Sequence, residues 1–212
     1  MNKALYTAIL GPYDDLKEPT VVSKGWDYIL YTDQDFTSDV WQIRKIDAGD
    51  DPQRTARRIK ILFHEYIEHE FSFWLDGAFH IRCDLNDFWN RYWQNPFSVP
   101  AHPLRNDIFR EIESCLANNR GNKDELIRQQ KDYEKLNLKR FNGIITSGVM
   151  MRRKTDQVID LCEQWYDELS KYSTRDQVAF AKITQNWRIP TYRWDYSQSK
   201  ELKYTKHLKY RH

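Results

Sequence analysis

The chain has little cysteine: Cys83, Cys115 and Cys162 stand far apart in 212 residues. No C-x-x-C pair exists, which excludes a zinc ribbon and a thioredoxin-like motif. An odd, unclustered set points to a reducing compartment with buried thiols. Glycine and proline are also scarce, seven of each, which argues against low-complexity linkers. No stretch approaches the roughly 20 apolar residues of a membrane span. The apolar run before Gly11 is too short for the core of a signal peptide. The expected location is therefore the cytoplasm, with at most a peripheral place on the inner face of a membrane. Charge of one sign is missing as well: 33 Lys and Arg meet 31 Asp and Glu, and a net charge of +2 gives no global field for nucleic acid. The G-x-S-x-G, Walker A and G-x-G-x-x-G signatures are absent, and with them the usual marks of a serine hydrolase, a P-loop NTPase and a Rossmann dehydrogenase. His64-Glu65-Tyr66-Ile67-Glu68-His69 has one residue too many for a zincin. Two histidines five apart on a helix differ by about 140° and cannot share one zinc.

What the chain does contain reads as a globular domain. Hydrophobic residues make up 40% and charged ones 30%, so the chain can bury a core without being disordered. Aromatic residues are plentiful, and beyond core duty they suit a site that stacks on bases or sugars. The length fits one domain, residues 1–212. Residues 185–212 form a basic tail, in which seven Lys or Arg from Arg188 onward face two acids. Such a tail can fold over a site, meet phosphates or touch an anionic surface, or it can simply be solvated.

Short apolar runs alternate with helical patterns. Ala4 to Leu10, Trp26 to Tyr31, Gln42 to Ile46, Phe71 to Leu75 and Ile144 to Met151 read as strands. Asp50-Asp51-Pro52 opens a helix whose buried face would be Ala56, Ile59, Leu62, Phe63, Tyr66 and Ile67. Arg57, Lys60 and His64 share a different, non-core stripe of it. Further helices are expected over 86–93, 107–118, 123–136, Thr155 to Lys171 and Asp176 to Thr184, followed by an irregular tail. The alternation predicts an α/β fold, a sheet with helices packed against it. In such open sheets ligands bind outside the carboxyl ends of the strands, and Asp33 and Asp76 fall there.

Asp76 at a strand end, beside Gly77, can hold Mg²⁺ or Mn²⁺ against a diphosphate, or it can simply form an Asp-Gly turn. Arg57 and Lys60 could neutralise a pyrophosphate or lie on a solvated helix face. Asp176 could cap its helix, while Asp176 with Gln177 could bind sugar hydroxyls. His207, in the tail, could be solvated or deliver a metal ligand.

Several stretches together resemble a glycosyltransferase-like family long catalogued only as a domain of unknown function. They are Tyr6 to Leu16, Tyr31-Thr32-Asp33, then Arg54, Arg57, Lys60 and His64, and Phe73 to Gly77. His102-Pro103, Glu111, Gln129, Tyr133 and Arg175-Asp176-Gln177 complete the ordered set. The family's plant members are linked to mucilage polysaccharide synthesis, and one has also been assigned ceramide hydrolysis. Asn142 to Met150 is more distantly similar to the Asn-Gly strand of glycogenin-like retaining galactosyltransferases. The resemblance implies a single GT-A-like domain with a mixed, mostly parallel central sheet flanked by helices, and a transferase that moves a hexose from a nucleoside diphosphate sugar, UDP-linked by expectation, to a glycan or lipid-linked acceptor in surface polysaccharide assembly. A hydrolase of an amide or glycosidic bond is one alternative, and a non-catalytic nucleotide- or carbohydrate-binding module is another. Carried over, Gly11, Tyr13, Asp33, Arg57, Lys60, His64, Asp76 and Gly77 would bind the nucleotide sugar. Asp176 and Gln177 would be catalytic, with Asp176 either a base for the acceptor hydroxyl or a support for a cationic sugar. His102, Gln129 and Arg175 would meet the acceptor. Asp76 and His207 would hold Mn²⁺ or Mg²⁺, although the Asp-x-Asp of such enzymes is here Asp76-Gly77-Ala78, with no second acid.

Overall fold

A computed structural model describes residues 2–140, 143–186, 189–205 and 207. Strands β1 (Lys3–Ile9), β2 (Trp26–Thr32), β3 (Gln42–Lys45), β4 (Phe71–Leu75), β6 (Phe97–Pro100), β7 (Val149–Arg153) and β8 (Thr191–Tyr192) form one sheet in the order β3-β2-β1-β4-β7-β6-β8. Strands β3, β2, β1 and β4 run parallel, β7 pairs antiparallel with both β4 and β6, and β8 runs with β6. The result is the expected mixed, mostly parallel sheet flanked by helices, consistent with a single GT-A-like domain. A separate pair joins β5 (Phe79–Ile81) to β9 (Leu202–Tyr204).

The strands are apolar on both faces, as a covered parallel sheet requires. Ala4, Tyr6, Ile29, Trp74 and Met150 enter a core shared with α1 (Pro52–Ile61), α6 (Asp156–Ser170) and α7 (Asp176–Ile183). Their strand neighbours Leu5, Leu30, Phe73 and Val149 enter the opposite core, shared with α3 (Leu85–Tyr92). A third cluster joins α7 to α4 (Ile108–Ala117) and α5 (Lys123–Lys135).

Four sequence expectations change. The helix opened by Asp50-Asp51-Pro52 does start there, with the Asp51 side chain accepting from the Arg54 N–H and Pro52 in the first turn. It stops at Ile61, however, because Leu62 takes φ −82° and ψ 50°, and a separate turn α2 (Phe63–Tyr66) follows. The break takes His64 off the stripe of Arg57 and Lys60. The strand expected over Ile144 to Met151 begins only at Val149. Residues 144–148 run as a loop with one bridge, Ala101 to Ile145, and Asn142 lies outside the described residues. The tail is not wholly irregular, since it carries β8 and β9. Much of its basic surplus (Arg188, Lys206, Lys209 and Arg211) lies outside the described residues. Cys115 and Cys162 are buried as expected, but Cys83 only partly. Among the described residues, no helix is long and apolar enough to cross a membrane.

The reversed strand organises one edge of the sheet. The carboxyl ends of β1, β2 and β4 lie there, and β7 enters from the same edge in the opposite sense. Its leading residues Thr146-Ser147-Gly148 therefore arrive beside Asp76, whose N–H donates to the Gly148 carbonyl at 2.9 Å.

Candidate functional site

At this edge lies a cavity of about 510 Å³, joined to a smaller lobe of about 60 Å³ through shared walls at Tyr13, Arg57, Asp76 and His207. The smaller lobe is mixed: Ala8, Leu10, Pro52, Ala56 and Trp74 form an apolar side, and Asp14, Gln53, Arg57, Asp76 and His207 a polar one. The larger one is cationic. Among the described residues its wall holds Arg57, Lys60, Arg105, Arg120 and Arg175 against Asp76 and Asp176. An excess of cations in a recess selects anionic ligands.

Lys60 is the centre of the arrangement. It is 1% exposed, not solvated as its stripe suggested. Its ammonium lies 2.7 Å from Asp176 Oδ2 and 3.2 Å from Asp76 Oδ1, donates to Ser147 Oγ at 3.3 Å, and sits over the Trp74 ring. Periodicity misplaces it because a lysine on a helix is normally read as outward. Here the stem is buried and the charge is matched by two acids, the condition for burying an ion.

Asp176, the first residue of α7, is 2% exposed. Its carboxylate accepts from Ser147 Oγ at 3.0 Å and from the Gln177 N–H at 3.0 Å, and Arg57 Nε lies 3.6 Å away. Burial alone would raise its pKa. Lys60, then Arg57 and Arg175, outweigh burial and hold the carboxyl well below the usual range. Asp76 is 25% exposed and accepts from Trp74 Nε1 at 2.6 Å with the oxygen that meets Lys60. Its other oxygen lies against Gly148, where a Cβ would stand 3.0 Å away. Glycine at 148 is thus what lets the reversed strand approach the carboxylate.

A second acid lies behind the other half of the wall. Glu111 on α4 is fully buried and pairs closely with Arg105, with Arg175 at 3.9 Å. Gly121, at φ +86°, leaves the space through which the Arg175 stem passes, since a Cβ there would lie 3.2 Å from Arg175 Cδ. In both halves of the wall, buried carboxylates, Asp176 and Glu111, hold the cations in place. Beside Arg105, His102 Nδ1 accepts from the Leu104 and Arg105 N–H groups, and burial followed by Arg105 keeps its pKa below the ordinary imidazole value.

The tail completes the wall. Strand β9 pairs with β5, Thr205 binds the Ala78 carbonyl, and His207 stacks near Tyr13 (centroids 4.7 Å) while its Nδ1 meets the Asp14 carboxylate.

The structure thus brings together Tyr13, Arg57, Lys60, Asp76, His102, Arg175, Asp176, Gln177 and His207 around the larger cavity, with Gly77 on the smaller lobe. Four other sequence candidates are not in the cavity walls. Gly11, at φ +59°, donates to both oxygens of Asp33 (2.9 and 3.1 Å), so these two brace each other behind the lobe. His64 lies 3.5 Å from Glu163 on α6. Gln129 is fully buried, bonded to Tyr133 and Ser173, and serves the packing of α5. His69 binds Asp27 at 2.7 Å, far from any pairing with His64. Sequence reasoning missed Arg105, Arg120, Ser147 and Gly148. The Thr146-Ser147-Gly148 run, small and polar inside an apolar strand pattern, was the available signal for the last two.

No three His, Cys, Asp or Glu side chains converge as a metal cluster among the described residues. Asp76 and His207 do share both cavities, and the oxygen of Asp76 beside Gly148 keeps a hard donor at the wall. Magnesium and manganese need no more than one or two protein ligands when substrate phosphates supply the rest, so this donor set fits such an ion.

The family model for the TOD1/MUCI70, glycosyltransferase-like domain matches residues 29–209. The protein described as "Probable hexosyltransferase MUCI70" of Arabidopsis thaliana is 20% identical over 221 residues, which cover 86% of this chain and 38% of that relative. The chain therefore spans well under half the length of the curated relative it matches.

Proposed function

The chain belongs to the TOD1/MUCI70 glycosyltransferase-like family, and from that premise we propose that it transfers a hexose from a nucleoside diphosphate sugar, UDP-linked, to a glycan or lipid-linked acceptor. The observation that carries the reading is the junction of a small lobe, apolar on one side and polar on the other, with a cationic cavity at the carboxyl ends of β1 and β4. A nucleotide sugar has the matching parts: a flat nucleoside, a diphosphate of concentrated charge and a neutral sugar.

Transfer breaks the bond between the anomeric carbon and the diphosphate oxygen and forms one to the acceptor hydroxyl oxygen, whose proton passes to the departing phosphate, where negative charge grows. Arg57 and Lys60 stand where that charge would develop, and donors fixed in advance stabilise it without reorganising. Asp76 and His207 would hold Mn²⁺ or Mg²⁺, which when bound supplies further positive charge to the diphosphate. Asp176 is held ionised by three cations, which makes it a weak proton acceptor. Of its two candidate roles, supporting a cationic sugar and fixing Lys60 suits it better than deprotonating the acceptor, and this favours a retaining course. His102, Arg105, Arg120 and Arg175 line the far side, where the acceptor would enter.

The test is thermal unfolding in the presence of UDP, GDP, CDP and their sugars, each with and without Mn²⁺, followed by assay of hexose transfer. Ligand at a hundredfold excess over Kd adds about 2.7 kcal/mol, which for a domain of this size raises Tm by about 5–11 °C. A selective shift with one nucleotide and transfer from its sugar are expected. No shift with any nucleotide would refute the reading.

A further inference from the structure

We propose that Asp14 reads the nucleoside of the donor, through a carboxylate oxygen that has no hydrogen bond among the described residues. The inference rests on the nucleotide-sugar reading above and adds a residue that neither the sequence motifs nor that reading assigned a role.

Asp14 is 3% exposed and lines the smaller lobe beside Leu10, Tyr13, Ala56 and Trp74. Its Oδ2 is taken by His207 Nδ1. Among the described residues its buried Oδ1 has no hydrogen-bond partner; Lys17 Nζ forms an ion pair with it at 4.0 Å, too long for a hydrogen bond. A buried carboxylate oxygen without a hydrogen bond is costly, so a ligand group that fills the lobe and donates to it gains correspondingly. The neighbouring backbone keeps the lobe narrow: a Cβ on Gly77 would stand 3.0 Å from Ile9 Cγ1 and 3.6 Å from Asp14 Oδ2.

The chemistry of the missing partner follows. It carries an N–H or O–H donor, because a carboxylate oxygen only accepts. It is not the phosphate, which Asp14 repels and which the larger, cationic cavity attracts. It is the part of the ligand that shares an apolar wall with Tyr13 and Trp74. In a nucleoside diphosphate sugar with its diphosphate at Arg57 and Lys60, that part is the nucleoside. A ribose hydroxyl and a base N–H both satisfy the requirement.

The experiment is calorimetric titration of the whole protein with UDP, GDP, 2′-deoxy-UDP and inorganic pyrophosphate, on the wild type and on Asp14→Asn. Loss of a charge-assisted hydrogen bond should weaken nucleoside diphosphate binding about 10- to 100-fold. Pyrophosphate, which does not reach the lobe, should bind the variant as it binds the wild type. Asp14→Glu, which crowds the same lobe, should show the same split if the asparagine variant fails to fold. If 2′-deoxy-UDP loses affinity in the wild type and nothing more in Asp14→Asn, the partner is the ribose. If the two losses add, it is the base. Equal weakening of pyrophosphate and nucleotide, or unchanged nucleotide binding, would overturn the assignment while leaving the transferase reading intact. A wild type that binds neither UDP nor GDP would overturn both.

Discussion

Exchanging Asp176 for asparagine removes one charge and one acceptor. The single amide oxygen can still take the Gln177 N–H, but the NH2 then faces Ser147 and Lys60, and Lys60, 1% exposed, keeps only the more exposed Asp76 as its acid. Breaking a buried ion pair from one side costs about 3–5 kcal/mol. The lower end applies because Asp76 still meets Lys60 at 3.2 Å. For a domain of this size about 3 kcal/mol lowers Tm by roughly 6–12 °C. The loss has a defined pH dependence. The folded-state pKa of Asp176 is depressed, so its contribution is present above the unfolded value near 3.8 and is lost as the pH falls through the folded value. The difference in Tm between wild type and variant should be flat near neutrality and shrink once the pH drops below about 4. Nucleotide affinity should hold or rise, since the cavity becomes more positive. Hexose transfer should fall about 100-fold or more, as on losing a fixed electrostatic partner of the transition state. Scanning calorimetry across pH, titration with UDP and a UDP-release assay check the three parts. A variant that melts with the wild type at every pH would refute the claim that Asp176 is the counterion of a buried lysine. Normal turnover would remove it from the reaction.

Two further outcomes are expected. Gly148→Ala places a methyl 3.0 Å from Asp76 Oδ2 and 3.1 Å from Phe79 Cε2. It should lower transfer about 10- to 100-fold by displacing the carboxylate, with a stability loss of only about 1–3 kcal/mol. Unchanged kcat/KM in this variant would take the position of Asp76 out of the argument. His64→Gln, outside both cavities, should leave kcat/KM within about twofold of the wild type. A loss of more than tenfold would return His64 to the site.

The fold was largely legible because it is written in short-range patterns. Apolar strands that stop at Gly11, Asp33 and Asp76, and helices that start at Asp51, Asp107 and Thr155, carry their own punctuation. The site was legible only where a strand end or a helix start marked it, as at Asp76 and Asp176. Lys60, read as either phosphate-facing or solvated, does line the cavity, but its burial was not legible, because helical periodicity assumes that charge seeks water and cannot see two acids arriving from residues 76 and 176. His64 went astray through one backbone angle at Leu62, which no propensity announces. Gln129 shows the opposite error, a polar residue spent on packing. Arg105 and Arg120 were missed because they sit in loops whose destination depends on Glu111 and on the α4–α5 turn. Strands β8 and β9 were missed because two or three residues carry no period of their own.

The reversed strand also sets a timetable for the chain as it is made. Strands β1 to β4 can pair in parallel as soon as they leave the ribosome, but the free edge of β4 is closed only when Val149 comes to lie beside Leu75. That partner is synthesised roughly 70 residues later, a delay of about 4–15 s at ordinary elongation rates. Throughout that interval Phe71–Leu75 is an unpaired and almost wholly apolar edge, the kind of surface that recruits strands from other nascent chains. Production of this protein should therefore be most vulnerable to aggregation during translation of residues 76–149, and slower elongation over that stretch should lower its soluble yield.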